Sequence, residues 1–269
     1  MVNKALTIAG SDSGGGAGIQ ADLKTFQELD VYGMSVITAV TAQNTLGVQG
    51  VHPIPPEFIA NQIDSIATDI GVDALKTGML FSPEIIEVVS QKIIQYQWEK
   101  VIIDPVMIAK GGASLLQTEA VDALKRHLLP HAFIVTPNIP EAEELTGINI
   151  KTEDDKFEAA KRIMDLGVKN VIIKGGHDES VSESTDLLYD GENVYSFTEV
   201  RYQTKNTHGT GCTFSAAITA GMARGLTVYD AVSEAKKFIS VAIKEDLHIG
   251  NGNGPTNHWA FKRIEGIRI

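Results

Sequence analysis

The chain has 269 residues, of which 43% are hydrophobic and 21% charged, a balance typical of a folded protein and unlike that of a disordered chain. Its 34 acidic residues outnumber its 23 lysine and arginine residues, and the formal charge of −11 argues against a nucleic-acid or anionic-membrane surface. One cysteine excludes an intrachain disulfide and, with no signal-peptide pattern and no apolar run of about 20 residues, favours a cytoplasmic protein.

The first part of the sequence alternates short apolar runs with segments of helical spacing. Strands are predicted at 4–9, 34–41, 74–78 and 101–104, and helices at 19–29, at 56–70 and from Pro83 onward. Ser82 fits the N-cap of the third helix, because its side-chain oxygen can accept a hydrogen bond from a first-turn amide. Serial strand–helix units of this kind indicate a mainly parallel sheet.

The second part continues the alternation and then changes in character. A helix is predicted at 118–129, a strand at 133–136, a helix at 156–166 and a strand at 171–174. Short alternating runs at 187–189 and 194–197, separated by Asp190 and Gly191, predict an antiparallel hairpin at a sheet edge, followed by helices at 209–224 and 228–244. With no linker and no internal repeat, we predict one α/β domain over residues 1–269, with ligands at the carboxyl ends of the strands.

The segment 207–217 runs from small, flexible residues into a helix-forming stretch. Gly209 and Gly211 allow successive backbone N–H groups to converge on one point, and such donors at a helix N-terminus bind anions. Cys212 at this position is expected to have a stabilised thiolate, which could act as a base or a nucleophile. The same pattern also fits a helix capped by Thr210 with a small buried cysteine, and the residues alone leave both interpretations open.

Three polar residues follow predicted strands and could share the carboxyl edge of the sheet. Asp104 ends one strand, and Asn138 and Glu141 follow another. Oxygen ligands of this kind suit Mg²⁺, which proteins hold through one or two carboxylates together with substrate phosphates. Asn138 and Glu141 fit a variant of the capping box equally well.

Two glycine-rich segments also follow predicted strands. The segment 11–18 matches neither the dinucleotide-binding nor the P-loop pattern, and it fits either a close backbone approach to a small ligand or a plain turn. Lys174 precedes a second glycine pair, where it could meet a phosphate or remain solvated. The segment 109–113 fits either a loop that closes over the site or a surface turn.

Gln43 closes the second predicted strand and is followed by a turn at Gly47. Its amide offers a donor beside an acceptor, which matches a planar heterocycle with an amino group next to a ring nitrogen. A strand-end glutamine that binds only water is the plainer interpretation. The histidine and cysteine spacings give no zinc motif, and no serine nucleophile elbow is present.

Taken together, the segments 17–25, 42–49, 76–79, 104–107, 136–141 and 206–213 resemble, in order, those of the hydroxymethylpyrimidine and phosphomethylpyrimidine kinases of thiamine biosynthesis. The resemblance implies a ribokinase-like three-layer α-β-α sandwich with a mainly parallel central sheet and a small antiparallel edge hairpin. It also implies ATP and Mg²⁺ as cofactors, a homodimer, and phosphorylation of 4-amino-5-hydroxymethyl-2-methylpyrimidine and then of its monophosphate.

The resemblance also assigns roles to residues. It places Gln43, Asp22, Met79, Gly10 and Val106 at the pyrimidine, and it makes Gly209, Thr210 and Gly211 an anion hole with Cys212 as candidate base. It places Asn138, Glu141, Lys174 and Thr207 near the nucleotide phosphates, with Asp104 and Glu141 as metal ligands. The wider sugar kinases usually carry aspartate where this chain has Cys212, which leaves the proton acceptor open.

Two alternatives remain at this point. Pyridoxal or pyridoxine kinases resemble this branch closely, but pyridoxal lacks a ring amino group for the Gln43 amide, so the pyrimidine is preferred and dual activity stays open. A non-catalytic pyrimidine sensor would keep the pocket and lose turnover. The intact segments 138–141 and 209–212 argue against it.

Overall fold

The residues described in the computed structural model, 1–107, 118–176 and 182–264, contain one sheet of nine strands. The strands are β1 (Lys4–Ser11), β2 (Tyr32–Asn44), β3 (Gly47–Pro53), β4 (Ala74–Thr77), β5 (Val101–Ile103), β6 (Ile134–Val135), β7 (Asn170–Ile173), β8 (Glu183–Tyr189) and β9 (Val194–Val200). Their order is β3-β2-β1-β4-β5-β6-β7-β8-β9, parallel from β2 to β7 and antiparallel at both edges. The predicted mainly parallel sheet and the β8–β9 hairpin are confirmed.

Helices connect most of these strands. They are α1 (Gly18–Glu28), α2 (Pro56–Ala67), α3 (Pro83–Gln95), α4 (Thr118–Ala123), α5 (Ile139–Thr146), α6 (Glu153–Met164), α7 (Thr210–Ala223), α8 (Val228–Lys244) and α9 (Ala260–Ile264). Ser82 caps α3 as predicted, since its side chain accepts a hydrogen bond from the Ile85 amide. Within the described ranges, none of these helices has both the length and the apolar character that crossing a lipid bilayer requires.

Two hydrophobic cores lie on opposite faces of the sheet. Successive side chains of a strand point to opposite faces, so Val101 and Ile103 of β5 enter one core and Ile102 enters the other. Helices α2 to α6 cover the first core, while α1, α7 and α8 cover the second. This arrangement confirms the expected three-layer α-β-α sandwich.

Two predicted elements differ in the structure. The turn expected at Gly47 opens β3, which pairs antiparallel with β2; its side chains are mostly exposed, so the strand carries no apolar alternation that sequence reasoning could detect. The helix expected over 118–129 ends as α4 at Ala123 and continues as a π-helical turn, Leu124–Leu128, and a 3₁₀ turn, Leu129–His131. Pro130 lies in that last turn, because it has no N–H to continue α-helical hydrogen bonding.

Two of the sequence-based expectations stay predictions. The segment 109–113, considered as a closing loop, lies outside the described residues. The assignment of residues 1–269 to one domain also stays a prediction.

Candidate active site

The N-terminus of α7 meets the glycine-rich loop after β1 in a close backbone contact. Gly209 is the N-cap residue of α7 and has a φ of 81°, in the left-handed region that favours glycine. A Cβ at Gly209 would lie 1.8 Å from the Gly16 carbonyl oxygen, so no side chain fits there. This contact brings the segment 207–212 to the carboxyl end of β1.

Three amide groups at the start of α7 are available to a ligand. Among the described residues, the amides of Gly209, Gly211 and Cys212 donate to no backbone carbonyl, whereas the Thr210 amide lies 3.3 Å from the Thr207 oxygen. The Thr210 hydroxyl also donates to that oxygen, at 2.7 Å. Thr210 is therefore not a free donor in the expected anion hole. It is not the N-cap of α7 either, because Gly209 occupies that position and has no side chain to cap the helix.

Cys212 is half-buried at the first turn of α7. Burial raises the pKa of its thiol to about 11, and the charges of Asp22 and Asp104 raise it further, while Lys76 and the Gly18 amide lower it. The expectation of a stabilised thiolate is thus wrong. The stabilising effect of the helix N-terminus on the thiolate is outweighed, because the thiol is desolvated and the charges of two carboxylates oppose its ionisation.

A fully buried ion pair lies beside this cysteine. Lys76 of β4 donates to Asp22 at 2.8 Å, the other Asp22 oxygen accepts from Thr7 at 2.6 Å, and neither charged side chain is exposed. Burial would lower the pKa of Lys76, but the negative charge of Asp22 outweighs it and keeps the lysine protonated. Asp22 was expected at the pyrimidine; here it exposes no surface to a ligand and holds Lys76 instead.

A second charged cluster joins the ends of β5 and β7. Lys174 lies 2.8 Å from Asp104 and 3.9 Å from Glu141, and both carboxylates are buried. Burial raises the pKa of Asp104, but Lys174 and Lys76 outweigh it and bring the pKa below its ordinary value. Burial raises the pKa of Glu141 to about 7, because Asp104 adds to the effect and Lys174 compensates only part of it.

Asn138 and Glu141 form the capping box that their spacing allowed. The Asn138 side chain accepts from the Glu141 amide at 2.8 Å, and Glu141 accepts from the Asn138 amide at 2.8 Å. The described residues hold no group of three or more histidine, cysteine, aspartate or glutamate side chains that could bind a metal by themselves. Two buried carboxylates with one lysine between them suit Mg²⁺ only if phosphates supply further ligands.

Residues expected at the pyrimidine lie around the ends of β1, β2 and β4. A Cβ at Gly10 would lie 2.4 Å from the Met79 Cε, so the absence of a side chain at Gly10 makes room for Met79. Gln43 is half-buried and held at its backbone by two 2.8 Å hydrogen bonds with the Ser13 hydroxyl. Val106 follows Asp104, to whose carbonyl its amide donates at 2.8 Å.

Sequence reasoning missed His208 and Asp12, which connect these two halves of the site. The Nε2 atom of His208 lies 2.8 Å from Asp12 Oδ2 and 3.3 Å from Gln43 Nε2. His208 directly precedes Gly209, so Gln43 is adjacent to the amide cradle of Gly209, Gly211 and Cys212. No local pattern reveals this pair, because Asp12 and His208 are 196 residues apart in the sequence.

This sandwich, with an amide cradle and a lysine–carboxylate cluster at the sheet edge, defines a small-molecule kinase of the ribokinase-like class. The family model described as "Phosphomethylpyrimidine kinase" matches residues 12–257. The chain belongs to this phosphomethylpyrimidine kinase family.

Individual relatives agree with that assignment. The chain is 57% identical over 262 residues to the hydroxymethylpyrimidine/phosphomethylpyrimidine kinase of Bacillus subtilis, covering 97% of each chain. It also resembles the structure of phosphomethylpyrimidine kinase from Clostridium difficile, with 45% identity, a TM-score of 0.80 and coverage of 90% of this chain and 99% of that one. The Staphylococcus aureus pyridoxal kinase, in complex with AMP-PCP and pyridoxal, gives a TM-score of 0.91 at 41% identity, covering 98% and 96%.

We expect Gly209→Ala to reduce kcat at least about tenfold and to lower the free energy of unfolding by more than about 2 kcal/mol, because the added Cβ displaces the Gly16 carbonyl. Gly225→Ala is the matched control: Gly225 has a φ of 85°, but a Cβ there meets nothing within 4 Å. Urea unfolding and steady-state kinetics measure both variants. Equal effects in the two variants would show that backbone strain alone, and not the close contact, matters at Gly209.

Glu141 gives the protein a pH-dependent stability of predictable sign. Its pKa of about 7 in the folded state exceeds its ordinary value of 4.5, so between these values the folded chain binds a proton that the unfolded chain has lost. The stabilisation is full at pH values below the ordinary pKa and is lost as pH rises through the folded pKa.

We therefore expect the difference in unfolding free energy between the wild type and Glu141→Gln to fall by about 2 kcal/mol from about pH 5.5 to about pH 8. Urea unfolding at several pH values measures it, with exposed Glu87→Gln as the control. A difference that stays constant with pH, or that grows, contradicts the raised pKa.

Proposed function

We propose that the chain transfers the γ-phosphoryl group of ATP to 4-amino-5-hydroxymethyl-2-methylpyrimidine and then to the resulting monophosphate, two steps of thiamine biosynthesis. The observation that carries the proposal is the position of Gln43 beside the amide cradle, connected through His208 and Gly209. Family membership and the names of the relatives support the reaction and the substrate.

The substrate ring lies, in this proposal, between Gln43 and Met79. The Gln43 amide accepts a hydrogen bond from the ring amino group and donates one to the neighbouring ring nitrogen. Met79 packs on the ring, with Gly10 and Val106 beside it. Asp22 is buried and does not contact the ring in this proposal; it holds Lys76 near Cys212.

The transferring group is stabilised mainly by positioned donors. The hydroxymethyl oxygen forms a bond to the γ-phosphorus while the bond from that phosphorus to the β,γ-bridging oxygen breaks. The amides of Gly209, Gly211 and Cys212 face the phosphoryl oxygens, and Lys174 contributes positive charge at their edge. A Cβ placed at Gly211 would lie 3.5 Å from the Lys174 Nζ, which supports this placement.

Asp104 and Glu141 would hold Mg²⁺ together with the nucleotide phosphates, near Asn138 and Thr207. The raised pKa of Glu141 supports this role, because it reveals a buried carboxyl with too little positive charge around it. When bound, the ion neutralises charge on the phosphates. AMP-PCP and ADP complexes of the pyridoxal kinase relatives support a nucleotide as the phosphoryl donor.

Cys212 is the proposed proton acceptor for the first transfer only. A thiol with a pKa of about 11 is protonated at neutral pH, so only its small thiolate fraction can take the hydroxyl proton. The acceptor in the second transfer is a phosphate oxygen, and a phosphate monoester with its second pKa of about 6 is already ionised at pH 7. The second transfer therefore needs no base.

We also propose that the enzyme is cytoplasmic, which its single cysteine supports, and that it is a homodimer, which its resemblance to the vitamin kinases supports. Pyridoxal phosphorylation is a second candidate activity, because pyridoxal kinases at 41% and 46% identity share the fold.

A substrate panel tests the proposed reaction. With ATP and Mg²⁺, we expect phosphorylation of the aminopyrimidine and of its monophosphate, with pyridoxal a poorer substrate. Gln43→Leu should weaken aminopyrimidine binding by about 1–3 kcal/mol, because a polar contact is left unpaired, and should affect pyridoxal less. Exposed Gln49→Leu is the matched control. Binding without turnover would support the sensor alternative, and equal losses for both ligands would contradict the role of Gln43.

Cys212→Ala separates the two transfers. We expect kcat for the aminopyrimidine alcohol to fall about a hundredfold with little change in KM, and kcat for the monophosphate to fall much less, since general-base catalysis contributes about this factor. Wild-type kcat for the alcohol should rise with pH above neutrality, and the variant should lose that rise. Unchanged kcat for the alcohol in Cys212→Ala would remove Cys212 from the mechanism.

A further inference from the structure

The side-chain amide of Gln43 lies between two polar groups that determine the orientation of its oxygen and nitrogen. Its Nε2 atom is 3.3 Å from His208 Nε2, and its Oε1 atom is 3.2 Å from Thr41 Oγ1. The two ends of a carboxamide have almost the same shape, so its orientation is decided by the donors and acceptors around it. The hydrogen-bonding roles of His208 and Thr41 follow from their other partners.

On the first side, His208 must be a donor. Burial would raise the pKa of Asp12, but the hydrogen bond and charge of His208 and the amides of Gly14 and Ala17 outweigh it, so the carboxylate is ionised. An ionised carboxylate only accepts, and His208 Nε2 lies 2.8 Å from it, so the Nε2 hydrogen points at Asp12. That nitrogen has no lone pair left for an amide N–H, so Gln43 can bond to it only through the amide oxygen, which would share the Nε2 hydrogen with Asp12.

On the second side, Thr41 must be an acceptor. Its hydroxyl has one hydrogen, and the Ser11 carbonyl oxygen at 2.9 Å is a closer acceptor for it than Gln43 Oε1 at 3.2 Å. Only its lone pairs remain for Gln43, and they are compatible with the amide nitrogen. Both neighbours therefore favour the same orientation of Gln43, in which the two amide ends are exchanged relative to the distances above, with the oxygen toward His208 and the nitrogen toward Thr41.

The histidine is held in place by the glycine-rich loop. The Asp12 carboxylate also accepts from the amides of Gly14, Gly16 and Ala17, at 2.8, 3.0 and 2.9 Å. A Cβ at Gly16 would lie 2.6 Å from the His208 ring, so the ring rests on bare backbone. His208 thus has a fixed partner and little room to turn.

We propose that Asp12, His208 and Thr41 lock the Gln43 amide in one orientation, and that this lock makes the site discriminate between an aminopyrimidine and pyridoxal. The proposal rests on the proposed function, in which Gln43 reads the ring. With the hydroxymethyl groups superposed, pyridoxal carries a carbonyl acceptor where the pyrimidine carries an amino donor. A freely rotating amide could exchange its donor and acceptor ends and so hydrogen-bond to either ligand. An amide with a fixed orientation matches only one of the two ligands. His208 and Thr41 are thus positioning residues that set specificity.

The test compares dissociation constants of the aminopyrimidine and of pyridoxal by calorimetry, which needs no turnover of either ligand. We expect His208→Leu and Thr41→Val each to reduce the preference for the aminopyrimidine about tenfold, as the loss of one buried hydrogen bond implies. His208→Gln should retain the preference, because its NH₂ group can donate to both Asp12 and Gln43. His127→Leu, at a half-exposed histidine away from the site, is the control.

Gln43→Leu, measured in parallel, separates failure of this proposal from failure of the proposed function. If Gln43→Leu leaves the preference unchanged, Gln43 does not read the ring, and both proposals fall. If Gln43→Leu abolishes the preference while His208→Leu and Thr41→Val keep it, the lock is refuted and the proposed function stands. Equal weakening of both ligands by His208→Leu would also refute the lock, because support of the Gly209 cradle alone has that effect. Thr41→Val provides the same test if His208→Leu does not fold.

Discussion

The contact between Gly209 and the Gly16 carbonyl is the constraint on which the site depends. It leaves no room for a side chain at Gly209 and fixes how close α7 comes to the loop after β1. That distance places the free amides of Gly209, Gly211 and Cys212 at the sheet edge, and it also brings His208 to Asp12. In the proposed function, phosphoryl binding and ring recognition therefore depend on the same backbone contact, although their residues come from opposite ends of the chain.

Buried charge is organised differently on the two sides of this contact. Lys76 and Asp22 form an ion pair that is fully out of solvent and costs desolvation energy, and their charges shift the pKa of the Cys212 thiol in opposite directions. Lys174 instead faces two carboxyl groups, Asp104 and Glu141, and cannot neutralise both when both are ionised. In the proposed function, local amides, lysines and a divalent cation offset the repulsion between an anionic nucleotide and a chain with a formal charge of −11.

The sequence predicted those features that local pattern determines. Alternating strand and helix units, the Ser82 cap and the β8–β9 hairpin are encoded by neighbouring residues, and they were found as expected. The failures involve contacts between distant segments. The thiolate of Cys212 was expected from its helix position alone, whereas burial and two distant carboxylates raise the pKa of the thiol. The exposed strand β3 had no apolar period, and Asp12 and His208 had no shared motif.

Relatives with different substrates share the fold of this chain. Pyridoxal kinases and phosphomethylpyrimidine kinases superpose on this chain at TM-scores of 0.91 and 0.80, so the fold does not choose the substrate. Pyridoxal and the proposed aminopyrimidine substrate both carry a hydroxymethyl group, and a cradle of backbone amides cannot distinguish between them. Discrimination has to arise where the two rings differ, which includes the amino or carbonyl group beside the hydroxymethyl group. Because that difference is one of donor against acceptor, the proposed fixed orientation of the Gln43 carboxamide would favour one ring over the other.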